Sequence, residues 1–145
     1  MDALFDRAAE DARALPEIAR ELERHAQLEE EIFYPAVASA SDEGASAVRE
    51  ARRHHADLRA RAAGADARAV EALRSQVARH VEFEERIIFA EAQRSLSKEA
   101  LVELAERMEQ RNRELGGTLP LARPRRGKPL EKVIRPKRVR IKTKY

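Results

Sequence analysis

Apolar residues recur along this chain at steps of three and four, the period of a helix with one buried face. Leu4, Phe5, Ala8, Ala12 and Leu15 line one side of a short first helix over residues 2–13. Ile18, Leu22, Ile32 and Ala36 carry the period through a second helix that runs to about Ala38. Pro16 suits its first turn, where a missing N–H costs nothing, and Pro35 should bend it or begin its end. A turn over residues 39–44, with Ser41 or Asp42 as cap, leads into a third helix carrying Val48, Ala51, Leu58 and Ala62 and stopped by Gly64. Asp66 caps a fourth, with Val70, Leu73, Val77 and Ile87 inward, continuing to about Gln93. Ser97 caps a fifth, carrying Leu101, Leu104, Ala105 and Met108 and closed at residues 116–117, both Gly. No strand-period alternation occurs in residues 1–114. Short connections between such helices make antiparallel neighbours. The pattern therefore predicts an all-α, up-down four-helix bundle with a fifth, C-terminal helix.

Polar residues interrupt three of these stripes in register. The inward face of the second helix reads Ile18, Leu22, His25, Glu29, Ile32, Ala36, and that of the fourth reads Val70, Leu73, Val77, His80, Glu84, Ile87. The third places His55 between Ala51 and Leu58. A buried carboxylate is expensive unless it is paired or bound to a cation, and no Lys or Arg occupies these stripes. Residues four apart on a helix point the same way, so three helices would converge His25, Glu29, His55, His80 and Glu84 on one interior point. A single HxxxE, or a lone core His, is commonplace. Two copies in phase with the core, and a third in-phase His between them, favour a metal site over a metal-free His–Glu network. Mixed imidazole and carboxylate donors suit iron, manganese or zinc better than calcium or magnesium. Five donors, two of them able to bridge, suit a two-metal centre. His54 lies off the stripe and reads as solvated, as do Glu30 and Glu31. Phe33, Tyr34, Phe83, Ile88 and Phe89 read as core packing.

Composition narrows the chemistry further. The 145 residues include no Cys, which removes disulfides, zinc–thiolate sites and thiolate-held iron–sulfur clusters and suits a reducing, cytoplasmic setting. No apolar run reaches the length of a membrane span, and the first residues, MDALFDRAAED, lack the pattern of a secretory signal. The formal net charge of +3 conceals two unlike parts. Residues 115–145 hold eleven Lys and Arg against one Glu, a net of +10, and the preceding 114 carry 18 basic and 25 acidic side chains, a net of −7. Four Pro and dense like charge mark residues 115–145 as a basic, largely disordered tail, distinct from a bundle over residues 1–114.

The stretches HAQLEEEIFYPAV, RRHHADL and HVEFEERIIFAEA, in that order, resemble hemerythrin-like domains of the HHE cation-binding type. Ferritin-like bundles, by contrast, use Glu-x-x-His. The resemblance covers most of residues 1–114 and none of the tail. It implies a four-helix bundle around a non-haem di-iron centre, with His25, His55 and His80 as terminal nitrogen ligands and Glu29 and Glu84 as carboxylates spanning the irons. The family's first-helix His is absent. Aligning its apolar pair on Leu4-Phe5 places that His before Met1, and Asp6 and Asp11 are the substitutes the first helix offers. The centre then holds two irons if a further ligand lies upstream, and one or none if the site is depleted. Arg59, or Ala51 one turn the other way, stands where oxygen carriers of the family have a further His, so reversible oxygen carriage does not follow.

Three functions are open to such a chain. It binds iron and senses, buffers or scavenges oxygen, nitric oxide or peroxide; or the same centre turns over peroxide or nitric oxide; or a metal-poor bundle acts through its basic tail on nucleic acid or an anionic surface. The stripes add no acid–base residue for specific catalysis, which favours binding over an enzyme. The tail's only aromatic residue is Tyr145, which supports base stacking poorly.

Overall fold

The structure, a computed structural model, describes residues 1–117. Among these residues every regular element is helical. In chain order they are α1 (Asp2–Glu10), a 3₁₀ turn (Ala12–Ala14), α2 (Leu15–Leu28), a π-helical turn (Glu29–Phe33), α3 (Tyr34–Ala40), α4 (Asp42–Ala63), α5 (Val70–Phe83), a second π turn (Glu84–Ile88), α6 (Phe89–Ser95) and α7 (Lys98–Glu114). Since each π turn joins its flanking helices into one rod, the architecture is an all-α bundle of five rods, as the periodicity predicts. The expected basic tail from residue 115 falls almost wholly outside the described residues.

The punctuation follows local chemistry. Pro16 sits in the first turn of α2. Ser41 caps α4 by accepting from the Gly44 N–H at 2.9 Å, and Ser97 caps α7 by accepting from Ala100 at 3.1 Å. Asp66 accepts from the N–H groups of Arg68 and Ala69 at 2.9 and 3.1 Å and so organises the turn before α5. Gly44 lets α4 approach the end of α3, because a Cβ there would stand 2.2 Å from the Val37 carbonyl oxygen. Gly116 closes α7 with φ +76°, a left-handed conformation that Gly adopts without strain.

Two apolar clusters fill the bundle. One joins Phe5, Ala8, Leu15, Ile18, Leu58, Val70 and Leu73, where α1 meets the starts of α2 and α5 and the end of α4. The other joins Phe33, Tyr34, Val37, Val48, Ala51, Ile88 and Leu104 with their neighbours, at the opposite end. The π turns begin between them and end in the second, to which they contribute Ile32, Phe33 and Ile88.

The second and fourth rods are internal repeats. α2 and α5, the two π turns, and α3 and α6 begin 55 residues apart at Leu15/Val70, Glu29/Glu84 and Tyr34/Phe89. A π turn holds an extra residue and so rotates everything after it. This corrects the inward face expected of the fourth rod: Ile87 is 42% exposed, and Ile88 takes the core position at 0%. In the second rod Ile32 stays buried, and Phe33 and Tyr34 join it. Pro35 follows the first π turn, but Ala90 holds the matching place after the second. Proline is therefore not what makes the turn. What the two turns share is a Glu at the first position, and in both copies that is the Glu of HxxxE.

Candidate metal centre

Glu29, His55, His80 and Glu84 each offer one ligand atom to a group whose members all lie within 4.8 Å of one another. Three rods supply them: Glu29 the first π turn, His55 the middle of α4, His80 and Glu84 the end of α5 and the second π turn. His55 Nε2 is 3.0 Å from His80 Nε2 and 3.9 Å from Glu29 Oε2, and His80 Nε2 is 3.0 Å from Glu84 Oε1. His55, His80 and Glu84 are buried, and Glu29 nearly so.

Of the five residues singled out from the sequence, these four come together. His25 lines the same pocket but is exposed and stands outside the group. Neither Asp6 nor Asp11 joins the group: Asp6 accepts from Arg74 at 2.9 Å, and Asp11, just past the end of α1, is engaged by Arg13. The pocket, about 170 Å³, has room for a few water-sized molecules. Leu22, Ala26, Val77 and Val81 give it apolar walls, and Met1 and Arg59 also border it.

Three further residues complete the site, each of which the sequence pattern alone places elsewhere. Tyr34, read as packing, is fully buried, and its hydroxyl donates to Glu84 Oε1 and lies 3.2 Å from His55 Nε2. Glu30, read as solvated, accepts from His55 Nδ1 at 3.0 Å and from Arg59 at 2.9 Å. His54, also read as solvated, sets its Nδ1 3.2 Å from His80 Nδ1 and packs edge-on to Phe83. Both inner imidazoles are thus held from behind, as metal-ligating His characteristically are. Glu30 sits one residue past Glu29, on the flank that meets His55 and Arg59 of α4, and the stripe pattern does not mark it. Nothing in the stripe pattern separates Tyr34 from an ordinary core aromatic.

The electrostatics describe a site short of positive charge. Burial and then the charge of Glu84 push the Glu29 carboxyl well above its ordinary range. Burial pushes Glu84 the same way, but hydrogen bonds from Glu29, His80 and Tyr34 outweigh it and keep that carboxyl ionised. The pair therefore shares a proton. Burial, then the charges of Glu29 and Glu84, hold the Tyr34 phenol far above its usual value. Burial lowers His55, against the upward pull of Glu30. Among the described residues neither Glu29 nor Glu84 has a Lys or Arg partner. Two carboxylates and two imidazoles that lack a counter-charge suit a divalent or trivalent cation, which would take over the role of the shared proton.

Residues 1–70 match the family model described as Hemerythrin HHE cation binding domain, which bears out the resemblance read from the sequence. The matched stretch spans α1 to α4, with His25, Glu29 and His55, and ends before His80 and Glu84. No curated protein and no solved structure matched the chain. Residues 1–70 are thus similar to the hemerythrin HHE cation-binding domain, and the described residues hold a His/Glu group able to take a metal ion. No described helix is long and apolar enough to cross a membrane.

Proposed function

We propose that this chain is a non-haem iron protein of the hemerythrin-like type that takes up a small oxidant, whether oxygen, nitric oxide or peroxide, at the metal. The observation that carries this reading is the convergence of four donors from three rods within 4.8 Å, at a depth where carboxylates without a cation are costly. Glu29, His55, His80 and Glu84 hold the metal, with His25 close by in the pocket wall. Iron with an open position supplies affinity for oxygen, nitric oxide and peroxide. The polypeptide does the rest: Glu30 and His54 aim the two imidazoles, and the apolar walls limit entry to molecules of a few atoms. The tail, with its possible nucleic-acid or anionic-surface partners, lies outside the described residues, and no structural observation favours a function through it.

The test is the iron content per chain after anaerobic reconstitution, read with the absorption spectrum after oxidation. One or two irons per chain support the reading, and the absorption of an oxo-bridged pair marks the two-iron form. A content near zero removes it. Steady-state consumption of peroxide or nitric oxide above that of free iron would make the protein an enzyme as well as a binder.

A further inference from the structure

Packing alone does not explain the placement of Tyr34. Its hydroxyl donates to Glu84 Oε1 and is 3.2 Å from His55 Nε2; His55 Nε2 is 3.0 Å from His80 Nε2, and His80 Nε2 is 3.0 Å from Glu84 Oε1. These four atoms close a ring. Two donors each about 2.1 Å from one ion, at right angles to each other, stand about 3.0 Å apart, so the three edges that meet at His55 and His80 have the length of a coordination-shell edge. Protons alone fill it badly. Glu30 accepts at His55 Nδ1, which fixes the proton of a neutral His55 there and leaves Nε2 as a bare lone pair. One proton from Tyr34 and one from His80 Nε2 then serve four edges, and a cation at the centre serves all four.

We propose that Tyr34 is an oxygen ligand of the bound iron, completing the donor set with Glu29, His55, His80 and Glu84 while His25 stays in the pocket wall. This rests on the iron-binding reading above. On binding, the Tyr34 O–H bond breaks, an Oη–iron bond forms, and the proton passes to solvent; no electron is transferred. Phenolate is a hard, anionic donor and favours ferric over ferrous iron, which points toward scavenging or oxidant sensing and away from reversible carriage. The second copy cannot do the same, because Phe89 stands at the position matching Tyr34.

The experiment loads the full chain with ferrous iron under nitrogen, oxidises it in air, and measures iron per chain beside visible absorption and resonance Raman spectra. The expected result is a phenolate-to-ferric charge-transfer band with enhanced tyrosinate ring modes. The chain has two Tyr, Tyr34 and Tyr145, so Tyr145→Phe should keep the band and ring-deuterated tyrosine should shift the modes. Neither needs Tyr34 to be altered. Tyr34→Phe should retain iron and lose the band. Iron bound without tyrosinate modes, or a Tyr34→Phe spectrum like that of the parent, overturns the assignment and leaves the iron reading intact. A parent chain that holds no iron overturns both.

Discussion

The two HxxxE copies are spelled alike and built alike, yet they serve the centre differently. In the second rod's copy, His25 stays at the pocket wall, Glu29 enters, Tyr34 reaches in from one turn further on, and Glu30 steadies a neighbouring imidazole. In the fourth rod's copy, His80 and Glu84 both enter, Phe89 contributes only a ring, and Glu85 has no partner among the described residues. A repeated motif therefore fixes which face of a rod turns inward without fixing which of its atoms arrive. Small differences in what surrounds each copy decide that.

The contrast is sharpest at the histidines. His80→Ala should abolish retention of iron on a desalting column, and His25→Ala should leave it within a few-fold; equal losses would make the copies equivalent and break the comparison. Next come the isoleucines after the second π turn. Ile88→Ala should cost about 2–5 kcal/mol in denaturant unfolding, the usual penalty for emptying a core Ile site, whereas Ile87→Ala should stay within about 0.5 kcal/mol. Reversed values would mean that the π turn does not rotate the rod. Glu30→Ala should weaken iron affinity by roughly 10–100-fold in a chelator competition, as loss of a residue steadying a ligand His does, and its counterpart Glu85→Ala should not.

The smallest effect is on pH dependence. In the metal-free chain the folded Glu29 carboxyl holds its proton above the range where the unfolded one releases it. The folded state then binds more protons, so stability falls as pH rises from the unfolded value toward the folded one, with a limiting slope of about 1.4 kcal/mol per pH unit. Glu29→Gln should remove that slope in urea titrations of the apoprotein and make it more stable at neutral pH, while reducing metal retention. Glu84→Gln removes the neighbouring charge but not the burial, so it should narrow the pH range of that slope without abolishing it. Below the ordinary His value His55 contributes with the opposite sign, because burial lowers it and the unfolded chain takes up the proton first, so the two contributions oppose each other there.

Much of this was legible in the sequence for a physical reason. Burial imposes a period, so rods, caps and the inward placement of Glu29, His55, His80 and Glu84 follow from spacing. The exposure of Ile87 was not legible, because a π turn is a backbone event that a count by threes and fours cannot register. Tyr34 and Glu30 were missed for a related reason. A buried Tyr and a surface Glu look the same in a pattern whatever their polar ends touch, and those ends find their partners only across helices. His25 shows the converse limit, since the right residue in the right phase still stands outside the group.

The ionisable layer lies between two separate apolar clusters, one on each side. The long rods run through both clusters, and under the proposed metal-binding reading a bound cation would add a further tie between the two ends. Chelation should loosen the join before it melts either end, so that amide exchange near the middle of α4 quickens while the Phe5 and Val37 regions remain protected. How cooperatively the molecule unfolds then becomes a property of its metal loading as much as of its helices.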